Sequence, residues 1–248
     1  MKPMILAAGR GERMRPLTDT VPKPLLQIAG KSLIEYHIEA LVKAGITELV
    51  INHAWLGEKI EAQLGDGSSY AANIQYSREQ QVLETAGGIK HALHLFDNEP
   101  FIVVNSDVFT DYPFRQLINT SERLLTSSSS NDIMAHLVLV NNPGHNTNGD
   151  FYCIDHLVSE QVAVPLDTTN SKINSTRNLK TMQRYTFSGI ACYHPDFFHS
   201  IEAGKQALAP MLRTAMETQQ VSGEIYQGSW WDIGTPERLK ELNIRFKK

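Results

Sequence analysis

Apolar residues along the chain recur in two rhythms. Short apolar runs at Met4–Ala8, Glu48–Asn52, Ile74–Ser77 and Phe101–Asn105 read as buried strands. Between them the spacing changes to three and four. Ile34, Ile38, Leu41 and Val42 share one face of a helix over Ser32–Ala44, opened by Ser32 and Glu35 at capping-box spacing and closed by Gly45. Leu56–Leu64, ended by Gly65, and Gly87–Leu95 read as further helices. Strand and helix alternate through this half, which predicts an α/β fold with parallel strands joined by helical crossovers.

The second half has a more antiparallel flavour. Ile133–Val140, Asp150–Ile154, Tyr185–Tyr193 and Glu224–Ile233 read as strands. Ala207–Thr218, with Leu208, Met211, Leu212 and Ala215 on one face, and Pro236–Phe246 read as helices. Thr126–Asp132 is a polar break, and Asp167–Thr181 carries no apolar period and reads as a hairpin tip or loop. No internal repeat is visible, and no hexapeptide β-helix follows the last strand. The expected fold is a doubly wound mixed, mainly parallel sheet in a single domain over 1–248.

Composition narrows the function classes. Of 248 residues, 42% are hydrophobic and 20% charged, which is neither a disordered nor a fibrous balance. Lys and Arg total 23 against 27 Asp and Glu, a net charge of −4. A weakly acidic chain has no general attraction to nucleic acid or to an anionic membrane, so any phosphate-binding patch must be local. No apolar run reaches the ~18 residues of a membrane span. The first apolar run is too short for a secretory leader. Cys153 and Cys192 have no metal-ligand spacing, which points to a reducing cytoplasm.

That local patch is concentrated in Leu6-Ala-Ala-Gly9-Arg-Gly11-Glu-Arg13-Met-Arg15-Pro16-Leu-Thr, followed by Pro22-Lys23-Pro24. A strand that ends in small residues exposes consecutive amides, which form a cradle for phosphate oxygens. Arg13, Arg15 and Lys23 add three cations to the same segment. Lys23 is expected to be extended, because the residue before a proline is pushed out of the helical region. The string is not a Walker A loop. As a dinucleotide fingerprint it is poor, since Met14 occupies the third glycine position.

Two aspartates fall where a ligand could reach them. Asp107 lies just past the strand Phe101–Asn105, and Asp232 lies in Trp230-Trp-Asp-Ile-Gly-Thr-Pro. Mg²⁺ takes one or two carboxylates together with substrate phosphates. The residues alone leave other roles open: Asp107 as a turn residue, Asp232 as the N-cap of the last helix. Glu84-Thr-Ala-Gly87-Gly88 could let a flat base approach the backbone, or could simply open a helix. Asn105 and Asp150 are candidate sugar ligands, Asp150 equally a turn residue. His91 and His94, three apart on a helix, read as a solvated face. At least one of Trp230 and Trp231 reads as core, and Phe197-Phe198 as core or interface.

The loop string as a whole resembles the signature of the sugar-1-phosphate nucleotidyltransferases, Gly-x-Gly-x-Arg-(Met/Leu)-x-Pro-(Leu/Met)-Thr followed by Pro-Lys-Pro. The resemblance runs through nearly the whole chain. Asn52-His-Ala-Trp-Leu-Gly, Leu83-Glu-Thr-Ala-Gly-Gly, Asn142-Pro-Gly-His, Gly149-Asp-Phe and Phe187-Ser-Gly-Ile are similar to the branch that uridylylates N-acetylmuramate α-1-phosphate in cell-wall recycling. The resemblance implies that Ala8, Gly9, Gly11, Glu12, Arg13, Lys23 and Gly88 bind the nucleotide and that Arg15 and Lys23 act in catalysis. It also implies that Asp107 and Asp232 hold Mg²⁺ and that Asn105 and Asp150 hold the sugar. Residues 1–112 would be mainly the nucleotide half and 113–248 mainly the sugar half. The expected partners are UTP and a sugar-1-phosphate, with no nucleic acid and no membrane, in a monomer or weak dimer.

The Glu-Lys-Pro of many hexose-1-phosphate enzymes is missing, which counts against the glucose-type branches. Leu-x-Thr-Ala-Gly also occurs in guanylyltransferases, so mannose-1-phosphate with GTP stays open. A non-catalytic nucleotide sensor and a nicotinamide oxidoreductase are further alternatives. The first would be expected to lose Lys23 or an aspartate. The second needs a third loop glycine and an acidic residue about 20 positions on.

Overall fold

The computed structural model describes residues 1–125, 132–161 and 183–246. The stretches Thr126–Asp132, apart from Asp132, and Asp167–Thr181 lie outside the described residues. Four strands form the parallel half of a nine-stranded sheet: β1 (Pro3–Leu6), β4 (Glu48–His53), β5 (Asn73–Arg78) and β6 (Phe101–Asn105). The second half adds β8 (Ala135–Val140), β9 (Tyr152–Ile154), β10 (Leu157–Ser159), β11 (Thr186–Tyr193) and β12 (Val221–Tyr226). The order is β5-β4-β1-β6-β11-β8-β12-β10-β9. Every strand except β11 and β10 runs in the same direction. The mixed, mainly parallel sheet expected from the alternation is therefore present.

Successive residues of the central strands enter opposite cores. Met4 and Val103 face one side, Ile5, Ile102 and Val104 the other. On the first side lie α3 (Glu84–Ala92) and α5 (Leu208–Glu217), contributing Ala86, Ile89, Leu208 and Leu212. On the second lie α1 (Leu33–Lys43), α2 (Gly57–Leu64) and α4 (Arg115–Leu125), contributing Ile34, Ile38, Leu41, Ile60, Leu64 and Leu117. This period-two division is what helices on both faces of a sheet require. α1 starts as its sequence predicts: Glu35 accepts from the Ser32 amide at 2.9 Å, completing the capping box.

Several elements differ from the sequence reading. Glu224–Ile233 is two strands, β12 and β13 (Trp230–Asp232), because the polar turn at Gln227-Gly228-Ser229 carries the chain out of the main sheet. β13 pairs instead with β7 (Val108–Thr110) in a separate ribbon. A second small ribbon joins β2 (Gln27–Ile28) to β3 (Lys31–Ser32). α3 begins at Glu84 rather than Gly87, so its glycines lie inside the helix. The last helix, α6 (Pro236–Phe246), has its predicted bounds. Its Leu239 and Leu242, with Ile233, form a third core around Met14, Leu26, Ile28 and Leu33.

Candidate active site

β1 lies between β4 and β6, at the point where the chain order along the sheet reverses. Open α/β sheets form their ligand crevice there, beyond the carboxyl ends of the strands. The segment after β1 crosses that crevice. Gly11 has φ +67, and a Cβ there would stand 3.0 Å from Thr18 Cγ2 and 3.2 Å from Lys23 Cβ. Glycine is thus required both by the left-handed backbone and by the tight fold of the loop. Thr18 Oγ1 donates to the Gly11 carbonyl at 2.8 Å, and Trp55 Nε1 donates to the Thr18 carbonyl at 3.0 Å. Met14 is fully buried and pins the loop from below.

The candidate nucleotide residues divide by exposure. Ala8 is buried, whereas Gly9, Glu12, Arg13 and Arg15 are exposed on the open side. Arg15 pairs with Asp19 at 3.2 Å. Lys23 is buried, and its Nζ contacts Asp107 Oδ2. Its backbone is not extended as expected. Lys23–Leu25 forms a turn of 3-10 helix, in which the Leu25 and Leu26 amides donate to the carbonyls of Pro22 and Lys23. The two turn bonds outweigh the steric preference of a pre-proline residue, and Pro22 takes the extended geometry instead.

Asp107 and Asp232, far apart in sequence, are brought together by the β7–β13 ribbon. Asp232 pairs in register with Val108, and the Ile233 amide donates to the Asp107 carbonyl at 2.9 Å. Asp232 does not cap α6. Thr235 Oγ1 accepts from the Arg238 amide at 3.4 Å, whereas Asp232 stays in the strand. Asp232 Oδ2 lies 2.5 Å from Arg238 Nη1 and 3.1 Å from His145 Nε2. Each of the two aspartates therefore has a cationic neighbour. Among the described residues, no three His, Cys, Asp or Glu side chains gather as a metal-binding group. His91 and His94 are exposed.

The glycines of α3 have an internal use. A Cβ on Gly88 would stand 2.6 Å from Glu79 Oε1 and 2.9 Å from Asn52 Nδ2. On Gly87 it would stand 2.1 Å from the Gly204 carbonyl. Glu79 was not evident from sequence, and Asn52 headed Asn52-His-Ala-Trp-Leu-Gly without an assigned role. Asn52 Oδ1 accepts from the Ala7 amide at 2.9 Å, and its Nδ2 donates to Glu79 at 2.6 Å, so this pair braces the start of the loop. Burial pushes the Glu79 carboxyl above the usual carboxylate range, against the hydrogen bonds from Leu83 N and Asn52. Arg238 was equally hidden, and His145, which ends Asn142-Pro-Gly-His, had no role assigned to it by the sequence.

Beside this crevice opens a cleft of about 550 Å³, bordered by Asn105, Asp150, Phe187, Leu208 and Leu212. Asp150 is braced: its Oδ1 accepts from Asn146 at 3.0 Å and its Oδ2 from the Phe187 amide at 2.8 Å. Trp230 and Trp231 are both half-buried. Trp230 Nε1 donates to the Ser188 carbonyl at 2.9 Å, and Trp231 packs against the third core. Phe198 is fully buried in the first core, with Phe197 against it.

Residues 2–143 match the model of the nucleotidyl transferase family. The chain belongs to that family. Among nucleotidyl transferases with assigned activities, it is 51% identical over 243 residues to the N-acetylmuramate alpha-1-phosphate uridylyltransferase of Neisseria meningitidis serogroup B, covering 97% of this chain and 96% of that one. It is 31% identical to the mannose-1-phosphate guanyltransferase of Hypocrea jecorina, covering 96% of this chain and 62% of that protein's length. The crystal structure of HddC from Yersinia pseudotuberculosis superposes with a TM-score of 0.74 at 20% identity, over 99% of both chains.

Proposed function

We propose that this nucleotidyl transferase moves the uridylyl group of UTP onto N-acetylmuramate α-1-phosphate, giving UDP-N-acetylmuramate and pyrophosphate. The choice of base and sugar is carried by the extent of identity to the meningococcal uridylyltransferase, half of all positions over almost the full length. The chemistry is supported by the meeting of Lys23, Asp107 and Asp232 beyond the carboxyl ends of β1 and β6.

The reaction needs no protein nucleophile. A sugar-phosphate oxygen forms a bond to the α-phosphorus of UTP as the bond to the bridging oxygen of pyrophosphate breaks. The attacker is already an anion at neutral pH, because the second pKa of a phosphate monoester is near 6. No general base is required, and catalysis reduces to alignment and charge neutralisation. The amides around Ala8, Gly9, Gly11, Glu12 and Arg13 cradle the triphosphate, with Gly88 on the nucleotide side. Arg15 and Lys23 hold the triphosphate and the departing pyrophosphate. Asn105 and Asp150 orient the sugar.

Asp107 and Asp232 fit Mg²⁺ by their donor set. They are two hard carboxylates, Asp232 paired in register with Val108 beside Asp107, and Lys23 and Arg238 are their cationic neighbours. When bound there, Mg²⁺ would neutralise phosphate charge and align the two substrates. Residues 1–112 would then serve mainly the nucleotide and 113–248 mainly the sugar. The setting is cytoplasmic peptidoglycan recycling.

Pyrophosphate release, measured with Mg²⁺ across UTP, dTTP, GTP, CTP and ATP against a panel of sugar-1-phosphates, tests the reading. Turnover confined to UTP with N-acetylmuramate α-1-phosphate is expected. Preference for mannose-1-phosphate with GTP would replace this substrate pair, and silence across the panel would remove the catalytic reading.

A further inference from the structure

N-Acetylmuramate differs from N-acetylglucosamine by a lactyl ether that ends in a carboxylate. An enzyme that selects it needs a cation inside its sugar cleft. Among the described residues two arginines border the cleft, Arg184 and Arg213. Arg213 is exposed at the rim, and its Nε already serves Glu160 at 2.9 Å.

Arg184 is held differently. It sits next to the bridge between Phe151 and Tyr185, and its carbonyl accepts from Asn142 Nδ2 at 2.9 Å. One guanidinium nitrogen, Nη2, donates to the Asp150 carbonyl, and the guanidinium carbon lies 5.6 Å from the centroid of the Tyr152 ring. Its Nε is buried and has no hydrogen-bond partner among the described residues. The guanidinium therefore has more donors than protein partners, and it borders the cleft, so a donor remains for a ligand oxygen there. Across the same cleft lie apolar side chains, Phe187, Leu208 and Leu212.

We propose that Arg184 is the specificity-determining residue for the acidic arm of the sugar. The guanidinium takes the lactyl carboxylate in a charge-assisted hydrogen bond, while the apolar wall accepts the lactyl methyl. The inference rests on the muramate reading given above. It adds a residue outside both the phosphate loop and the aspartate pair. Arg184 is fixed by its bond to the Asp150 carbonyl before substrate arrives, so little side-chain freedom is lost on binding. The neutral N-acetylglucosamine sugar has no carboxylate to match it, and would leave the guanidinium with its bond to the Asp150 carbonyl alone.

The test measures affinities of UDP-N-acetylmuramate and UDP-N-acetylglucosamine by calorimetry, for the wild-type enzyme and for Arg184→Gln and Arg184→Lys. UTP affinity is followed as a check on folding. Loss of one charge-assisted contact in a protected cleft should cut the ratio of the two affinities by about 10- to 100-fold in Arg184→Gln, with a smaller loss in Arg184→Lys. An unchanged ratio in a variant that still binds UTP overturns the proposal. The wild-type enzyme gives a second reading that needs no variant. UDP-N-acetylmuramate with its carboxyl converted to the neutral amide should bind no better than the N-acetylglucosamine nucleotide, and binding equal to that of the acid overturns the proposal. Failure of wild type to turn over N-acetylmuramate α-1-phosphate at all would instead defeat the functional reading on which the proposal stands.

Discussion

Lys23 and Asp107 are each other's partner, so neither substitution is a clean removal of one charge. Lys23→Ala leaves Asp107 without its cation and takes a positive charge from the phosphates. A single preorganised donor to a transition-state charge is worth about 10²- to 10³-fold in kcat. Steady-state pyrophosphate release, measured below the variant's thermal midpoint, should show a loss of that size, and the midpoint falls because Asp107 loses its partner. Near-wild-type turnover would mean that Lys23 does not act on the phosphates. Gly11→Ala tests the loop differently. Its φ of +67 and the 3.0 Å approach to Thr18 give the methyl group no relaxed position. The cost should be about 1–2 kcal/mol, read as a fall of several degrees in Tm.

At the scale of elements, α1 and β7 meet through His37. It is buried, its Nε2 lies 2.7 Å from the Val108 carbonyl, and burial holds its pKa down to about 4 against an ordinary 6.5. A carbonyl accepts only, so the neutral ring donates from Nε2. The unfolded chain takes up a proton on this group first as pH falls. The contribution of neutral His37 is present above about pH 6.5 and is lost as pH falls from 6.5 towards 4, at up to about 1.4 kcal/mol per pH unit. Urea unfolding across that range should show a shallower loss in His37→Gln than in wild type.

The long elements were legible because burial leaves a rhythm. β6 and α6 have the bounds that their apolar residues predict, and α1 starts at its capping box. The ribbons β2–β3 and β7–β13 are too short to show a period. Gly87 and Gly88 hid the first turn of α3, since glycine signals a break when its use as a packing surface for Gly204 and Glu79 cannot be seen. α4 carries few apolar positions and escaped the reading altogether. In the site, the phosphate loop and both aspartates stood out by their strings. Arg238 and Arg184 did not, and Asn52 and His145 stood in recognisable strings without a role, because the partners that give Asn52, Arg184 and His145 their meaning lie 45, 34 and 93 residues away.

For the whole molecule, a ligand that binds only the folded state adds stability by mass action. UTP with Mg²⁺ at about 100 times its Kd should contribute about 2.7 kcal/mol, or roughly 5–10 °C in Tm for a chain of this size. Scanning fluorimetry should show that Asp107→Asn removes the Mg²⁺-dependent part of this shift and keeps a response to UTP alone. A full shift in that variant would take Asp107 out of the metal site.

The third core joins the two ends of the chain. Met14, under the phosphate loop, is covered by Leu239 and Leu242 of α6, and Asn243 bonds the Gln27 carbonyl at 3.0 Å and the Ala29 amide at 3.0 Å. All nine strands of the main sheet lie before residue 227, whereas this cover and Asp232 come after it. During translation the phosphate loop is made well before Asp232 and the helix that covers Met14. At about 5–20 residues per second, a nascent chain carries that loop, uncovered and lacking its second carboxylate, until α6 leaves the ribosome. Transfer is thereby withheld from a nascent chain still short of Asp232, and a ribosome stalled there should hold a folded sheet with no transferase activity.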